Sequence, residues 1–231
     1  MTQPMIVRSI DRPAPEVLGG LAAAGVATIH EAAGRTGLMG PAIRPIQDGV
    51  RMGGSAVTVL CPPGDNMMLH AAVEVVQPGD MLVVATMSPS TDGMLGDLLA
   101  TSLLHRGCVG VVVDAGVRDV AELRAMGFPV WSAAIHAQGT VKASPGSVNI
   151  PVFCAGITVE PGDVVVADDD GVVVVPRSRT TDVLDAANDR LAKEADTRGR
   201  LEDGELGLDF YGLRDRLEAL GVRWVDSADD I

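Results

Sequence analysis

Apolar positions along the chain fall into two rhythms. A helical spacing of apolar residues marks Ala14 to Ala24 before Gly25, then Thr28 to Ala33 up to the breaks at Gly34 and Gly37. The same spacing returns over Asn66–Glu74, Asp97–Arg106 and Val120–Met126. In the second of these, Leu98, Leu99, Ser102 and Leu103 share one buried face, and Gly107 stops the run. Strand-like stretches alternate with the helices: Ile43 to Leu60, the β-branched run Val109–Val113, and Gly127–Trp131. Pro78-Gly-Asp-Met-Leu-Val-Val-Ala and Pro161-Gly-Asp-Val-Val-Val-Ala echo one another, each a turn feeding an apolar strand. The echo predicts two strand sets stacked in one core. From Thr180 onward the chain is charged, with helices expected over Thr181–Arg198 and Asp209–Leu220. This reads as an α/β protein with residues 1–179 as its body and 180–231 as a helical arm that packs on a neighbouring subunit, giving a homo-oligomer.

Composition narrows the classes. With 231 residues the chain is long enough for one sizeable core. It is 47% hydrophobic but only 3% aromatic, so Val, Leu, Ile, Ala and Met must fill that core. A net charge of −13 argues against nucleic acid or an anionic membrane as partner. Cys61, Cys108 and Cys154 lie in or beside apolar stretches without CxxC or Cys/His spacing, so reduced buried thiols are expected rather than a zinc site. No run approaches 18 apolar residues and the first residues lack a signal-like apolar core, so a soluble cytoplasmic protein is expected.

The chemistry concentrates between Gly96 and Asp119. A helix opening at Gly96 turns unpaired N–H groups and a positive dipole end toward its N-terminus. The strand at Val109–Val113 is expected to deliver a loop, Asp114-Ala-Gly-Val-Arg-Asp119, beside it. Arg118 offers a planar fork for a carboxylate, and Asp119 a hard oxygen ligand. Mg²⁺ keeps several waters and needs only one or two protein carboxylates, so Asp119 with Asp97 suits it, while the amides of Leu98 and Leu99 face an anion. The plainer alternative, that Asp97, Asp114 and Asp119 only cap helices and turns, stands beside this one.

Elsewhere the signals are weaker. His30 and Glu31 sit at a helix start, and His70 is the notable polar group on the helix expected over Asn66–Glu74. Residues 132–150 form a long polar stretch carrying His136, Gln138, Thr140, Lys142 and Ser144. Asp168-Asp-Asp-Gly171 resembles a metal loop but fits a hairpin turn with Gly171 at positive φ, and it lacks the ligand spacing of a calcium loop. No phosphate-binding GxxxxGK, GxGxxG after a strand, HExxH or GxSxG is present. An imine-forming enzyme would have to use Lys142 or Lys193, the only lysines.

GDLLAT, VVVDAGVRDVAEL, QGTVKASPGSVNIPV, PGDVVVADDDGVVVVP and GELGLDFY together resemble the bacterial 4-hydroxy-4-methyl-2-oxoglutarate / 4-carboxy-4-hydroxy-2-oxoadipate aldolases. These are class II pyruvate aldolases within the family named for the regulator of ribonuclease activity A. The resemblance implies a layered α/β/β/α sandwich with a C-terminal helical arm, trimers or hexamers, and a site at a subunit interface. It implies Mg²⁺ or Mn²⁺ on Asp119, with Asp97 and a neighbouring subunit's Glu194 reaching the metal through water, and Glu205 competing with Glu194. Arg118 would hold the pyruvyl carboxylate against the backbone of Gly96, Leu98 and Leu99, and His70, Thr140 and Lys142 would meet the distal carboxylates. The implied reaction is retro-aldol cleavage of a 4-hydroxy-2-oxo acid to pyruvate plus oxaloacetate or a second pyruvate, with oxaloacetate decarboxylation as a side activity, in aromatic-acid breakdown through protocatechuate or gallate. The one departure is Ala115 where the pattern often has glycine; Gly116 follows, and the turn is expected to survive. The rival implied by the same family is a ribonuclease-regulator-type protein that docks and catalyses nothing.

Overall fold

The computed structural model describes residues 3–230. Two helices, α1 (Pro15–Ala24) and α2 (Val26–Ala32), are followed by a short edge strand β1 (Arg44–Pro45) and the ten-residue β2 (Met52–Cys61). Then come α3 (Met67–Val75), β3 (Asp80–Thr86), β4 (Gly93–Leu95), α4 (Asp97–His105), β5 (Gly110–Val117), α5 (Val120–Ala125) and β6 (Val130–Ile135). The short strands β7 (Ser147–Val148), β8 (Val152–Cys154) and β9 (Ile157–Val159) precede the hairpin β10 (Val164–Asp168) and β11 (Gly171–Val175). One nine-stranded sheet runs β1-β6-β5-β3-β2-β10-β11, with β4 attached to β5 and β7 to β2.

Alternation along the strands creates three hydrophobic layers from this one sheet. Val57 and Val59 of β2, Leu82 and Val84 of β3, and Val111 and Val113 of β5 face Leu69, Leu99, Leu103 and Leu123 of α3, α4 and α5. Their sequence neighbours Ala56, Met81, Val83 and Val112 face the opposite way, against Val165, Ala167, Val172 and Val174 of the hairpin. The other face of the hairpin, Val164, Val166, Val173 and Val175, is covered by Leu21, Ile29 and Val183 from α1, α2 and the following helix. The order is therefore helices, strands, strands, helices, with the sheet curled until it is nearly a closed barrel. Trp131 marks the closure: fully buried on β6, its indole N–H donates to the Asp168 carbonyl at the end of β10, 2.8 Å away.

The Pro-Gly-Asp echo has a shared local cause. Gly79 (φ 90°) and Gly162 (φ 87°) make the turn in the left-handed region, and the aspartate behind each is buried and accepts backbone amides. Asp163 accepts from Glu160 and Arg177, both at 2.9 Å. Asp80 accepts from Gln77 at 2.7 Å and forms a two-pronged pair with Arg12, 2.8 Å on each prong. The resulting strands flank β2 on either side, β3 parallel and β10 antiparallel. Asp168-Asp-Asp-Gly171 is the β10–β11 turn: Asp168 pairs with Gly171, Asp168 accepts the first amide of α2 at 2.9 Å, and Asp169 accepts that of Gly49.

Arg12 fastens the N-terminal segment. Residues 5–7 lie beside β7, with Ile6 bridged to Val148, and Arg12 then reaches the wholly buried Asp80 carboxylate. Removing one partner of such a pair strands a charge without its counter-ion. Arg12→Ala is expected to lower unfolding free energy by about 3 to 5 kcal/mol in urea denaturation.

Near the site, boundaries differ from the sequence reading. β5 does not stop at Val113; it runs to Val117 through a register shift, because β4 and then β6 supply partners for its second half. Asp114 to Val117 are thus strand, and only Arg118 and Asp119 lie beyond it. Gly116 serves no turn: a Cβ there would lie 2.0 Å from the Thr91 carbonyl oxygen, so glycine permits the close approach of β4's leading loop. β6 starts at Val130 and consumes residues up to Ile135 of the expected loop.

The described chain divides into two compact units, residues 1–188 and 189–231. The helix α6 (Thr180–Glu202) begins in the first and continues into the second, which also holds α7 (Gly207–Phe210) and α8 (Leu213–Ala219). No side chain among residues 189–229 is buried, and Leu206, Leu220 and Trp224 are more than half exposed. No described helix is long and apolar enough to cross a membrane.

Candidate functional site

The site forms where β5 ends and α4 begins. β4 runs parallel to the end of β5, so Gly96 and Asp97, which follow β4, meet Arg118 and Asp119, which follow β5. The Arg118 amide donates to the Leu95 carbonyl at 2.9 Å and locks the two chain segments together. Asp119 stands at φ 56°, ψ 40°, a left-handed conformation that Asp tolerates better than most residues, and this aims its carboxylate back at the start of α4. Its Oδ2 accepts the Asp97 amide at 3.3 Å and lies 3.5 Å from the Arg118 Nε.

Gly96 makes this geometry possible. Its backbone is extended (φ −139°, ψ −175°), so the requirement is for space rather than conformational freedom. A Cβ at Gly96 would stand 2.3 Å from Asp119 Oδ2 and 3.1 Å from Arg118 Nε. The first turn of α4 projects over the same point, and Leu98's amide is held by the Asp97 carboxylate at 2.7 Å. Leu98 itself is 82% exposed while Leu99 is buried and anchors the helix; with its amide already taken by Asp97, Leu98 does not present the free N–H toward an anion that the sequence suggests.

A cleft of about 220 Å³ opens beside these groups, lined by Asn66, His70, Gly93, Gly96, Asp97, Leu98, Leu99, Arg118 and Lys142. Six residues singled out from the sequence as substrate-binding (Gly96, Leu98, Leu99, Arg118, His70, Lys142) and Asp97 therefore converge. His70 and Asn66 come from the start of α3, Lys142 from the loop between β6 and β7. Burial, reinforced by the charge of Lys142, shifts His70 toward its neutral form. Thr140 does not line the cleft; the backbone of its loop approaches instead, where a Cβ on Gly139 would be 3.3 Å from an Arg118 terminal nitrogen. Glu194 belongs to the second unit, where it pairs with Arg190 at 2.8 Å and lines a shallow hollow with Arg198 and Tyr211. Glu205 is held by Arg200 at 2.6 Å.

Asn66 escaped the sequence reading. It is 8% exposed, its side-chain amide donates to the Met94 carbonyl at 3.0 Å, and its Oδ1 has no hydrogen-bond partner although it is buried at the cleft. A buried acceptor without a donor is costly, and a ligand that donates a hydrogen bond would satisfy it. In the sequence it reads only as the polar residue opening a helix, and nothing there marks it further.

The donor set fits a hard divalent cation. Among the described residues no group of three or more His, Cys, Asp or Glu side chains surrounds a common point, which argues against a closed all-protein zinc site. Asp119, one-third exposed in a cradle that a single Cβ at Gly96 would fill, and Asp97 beside it, match the one or two carboxylates that Mg²⁺ or Mn²⁺ takes while keeping water and substrate oxygens. The three cysteines are buried and unpaired, and burial pushes the thiols of Cys61 and Cys108 up to about 12 and about 11, so they supply no soft ligand here.

The architecture is a nearly closed α/β barrel with an arginine and a carboxylate at the C-terminal end of one strand facing a helix N-terminus. Comparison with known proteins gives the family. Residues 26–174 match the RraA-like family, described as Aldolase/RraA, and the chain belongs to it. A Halalkalibacterium halodurans protein provisionally named a 4-hydroxy-4-methyl-2-oxoglutarate aldolase is 29% identical over 73% of this chain and 80% of its own. A Burkholderia multivorans protein with the same provisional name is 35% identical over 64% of this chain and 90% of its own. Among solved structures, Streptomyces coelicolor RraAS2, described as an unusual member of the RNase ES inhibitor RraA protein family, superposes with a TM-score of 0.73 at 32% identity, covering 82% of this chain and 99% of that one. The family thus holds proteins named as aldolases and proteins named as ribonuclease inhibitors.

Proposed function

We propose that this protein is a divalent-metal-dependent aldolase that cleaves 4-hydroxy-2-oxo acids of the 4-carboxy-4-hydroxy-2-oxoadipate and 4-hydroxy-4-methyl-2-oxoglutarate type to pyruvate and a second 2-oxo acid. The observation that carries this reading is the set Gly96, Arg118 and Asp119, in which a glycine has been kept free of a side chain so that a carboxylate and a guanidinium share one point beside a helix N-terminus. Arg118 and Asp119 both remain partly exposed there, so the pair is open to a ligand.

In this reading Arg118 pairs its guanidinium with the carboxylate of the pyruvyl half, and the first turn of α4 adds fixed positive potential where the enolate oxygen gains charge. Asp119 and Asp97 would hold Mg²⁺ or Mn²⁺. The bound cation would supply Lewis-acid stabilisation of the developing enolate, on the order of several kcal/mol. Among the described residues Asp97 is the one carboxylate lining the cleft, Asp119 lying beside Gly96 and Arg118 without lining it, and Asp97 would receive the C4-hydroxyl proton directly or through solvent. As that proton leaves, the C3–C4 bond breaks, its electron pair passes to the pyruvyl half, and C4 becomes a carbonyl. Lys142, neutral His70 and Asn66 meet the far end of the substrate. Decarboxylation of oxaloacetate uses the same enolate-stabilising groups and is expected as a side activity.

Assembly belongs to the same proposal. The apolar side chains of residues 189–229, none of them buried, need a cover, and a second copy of the chain supplies one; Glu194 then reaches a neighbour's site from this arm. We propose a trimer or hexamer of a cytoplasmic enzyme.

Isothermal titration of the free protein with MgCl₂ and pyruvate tests the reading against the ribonuclease-regulator alternative. Saturable pyruvate binding that requires Mg²⁺ supports the enzyme; absence of both bindings supports the docking protein. Arg118→Lys is expected to weaken pyruvate binding at least about tenfold in the same titration, because a single ammonium cannot reproduce the two-pronged contact.

A further inference from the structure

The loop that carries Lys142 is tied to the helix that carries His70 and Asn66 by a single buried carboxylate. Asp65, 2% exposed, precedes α3. One of its oxygens accepts the Met67 amide at 2.9 Å, closing the first turn of that helix. The other accepts the amides of Ala143 at 2.8 Å and Ser144 at 2.6 Å. Two backbone bonds complete the tie: Asn66 donates to the Val141 carbonyl at 3.1 Å, and Val141 donates to Gly64 at 2.9 Å. Lys142 is thus bracketed on both sides, by the Val141 bridge before it and the Asp65 carboxylate after it.

The carboxylate is suited to this task. Burial alone would favour its neutral form, but the amides of Met67, Ala143 and Ser144 hold it below the ordinary aspartate value, so it stays ionised. Charged acceptors bind amides more strongly than neutral ones. Asp65 does not line the cleft, which leaves it the role of positioning Lys142 rather than touching substrate.

We infer that Asp65 is a positioning residue for substrate selection: by fixing the loop at 141–144 against the start of α3, it sets where the Lys142 ammonium stands relative to His70 and Asn66, and so determines recognition of the carboxylate remote from the bond that breaks. This rests on the aldolase reading above. The pyruvyl end is held by Arg118 and α4; the same loop approaches Arg118 at Gly139, ahead of the tied segment 141–144, so the tie acts first on Lys142.

The test pairs two substrates with a double-mutant cycle. Asp65→Asn, Asp65→Ser, Lys142→Ala and each double variant are assayed in Mg²⁺ for cleavage of 4-carboxy-4-hydroxy-2-oxoadipate and for exchange of the C3 protons of pyruvate with deuterium, which uses only the pyruvyl half. Asp65→Ser keeps a short oxygen for the Met67 amide yet lacks the second oxygen for the loop, so it serves where Asn fails to fold. Expected are a rise of about tenfold in KM for the large substrate with kcat within about twofold, pyruvate exchange within about twofold, and little additional effect of either Asp65 change in the Lys142→Ala background. Hydrogen exchange at the Ala143 and Ser144 amides should accelerate in both Asp65 variants, a result independent of activity. Full additivity with Lys142→Ala, or parallel losses in cleavage and pyruvate exchange, would overturn the inference. Wild-type protein that neither cleaves nor exchanges would instead remove the aldolase reading, leaving the hydrogen-exchange result to stand by itself.

Discussion

Asp119→Asn is expected to reduce cleavage by a factor on the order of 10³ or more while the protein remains folded and Arg118 remains in place. The substitution keeps the shape but removes the charge on which a divalent cation depends, and Asp119 is the carboxylate that the left-handed turn after β5 points into the cradle. Asp119 is one-third exposed, so its ion pair with Arg118 contributes little to stability and its replacement should leave thermal unfolding nearly unchanged. Steady-state assays at rising Mg²⁺ concentration, with unfolding followed by circular dichroism, separate the two effects. Activity near wild type in Asp119→Asn would remove the metal assignment.

Gly96→Ala is the second large effect, and it comes from a single methyl group. At 2.3 Å from Asp119 Oδ2 the new Cβ cannot be accommodated without displacing that carboxylate, and at 3.1 Å from Arg118 Nε it crowds the guanidinium as well. Because the backbone at Gly96 is extended, alanine brings no conformational strain of its own. The loss therefore falls on the site: activity down about a hundredfold or more, with pyruvate and metal binding weakened together, and unfolding free energy changed by less than about 2 kcal/mol. Calorimetric titration of the variant checks this. Unimpaired binding of both ligands would mean that the close packing of Gly96, Arg118 and Asp119 has no functional part.

Much of this was readable from the chain because the relevant signals are local. The 3.6-residue spacing of Leu99 and Leu103 marked α4, Gly107 marked its end, and the Pro-Gly-Asp echo marked β3 and β10, since each rests on a turn closed by its own aspartate. The adjacency of Arg118 to Asp119 is plain in the sequence, but their approach to the helix at Gly96 depends on β4 pairing with the end of β5, a strand that the hydrophobic pattern does not mark. What the sequence concealed depends on partners distant along the chain. From the sequence β5 ends at Val113, because Asp114, Ala115 and Gly116 look like a turn; β4 and β6 keep the segment extended by offering it hydrogen bonds. Asn66, Asp65 and Arg12 look like ordinary polar residues until the loop at 141–144, the carbonyl of Met94 and the carboxylate of Asp80 are brought against them. Thr140 shows the opposite error: a polar residue in the right loop is still outside the cleft when the loop presents its backbone there.

The family holds proteins named as aldolases and proteins named as ribonuclease inhibitors, and the arrangement at Gly96 is the ground on which we propose the former. The most direct test is release of pyruvate from 4-carboxy-4-hydroxy-2-oxoadipate, followed through lactate dehydrogenase, in Mg²⁺, after EDTA, and after Mg²⁺ is restored. The proposed mechanism predicts turnover that disappears with EDTA and returns with the metal. Turnover that survives EDTA would contradict it and direct attention to an imine at Lys142, trapped by borohydride; a folded protein without turnover under any of the three conditions would contradict it in favour of the docking protein.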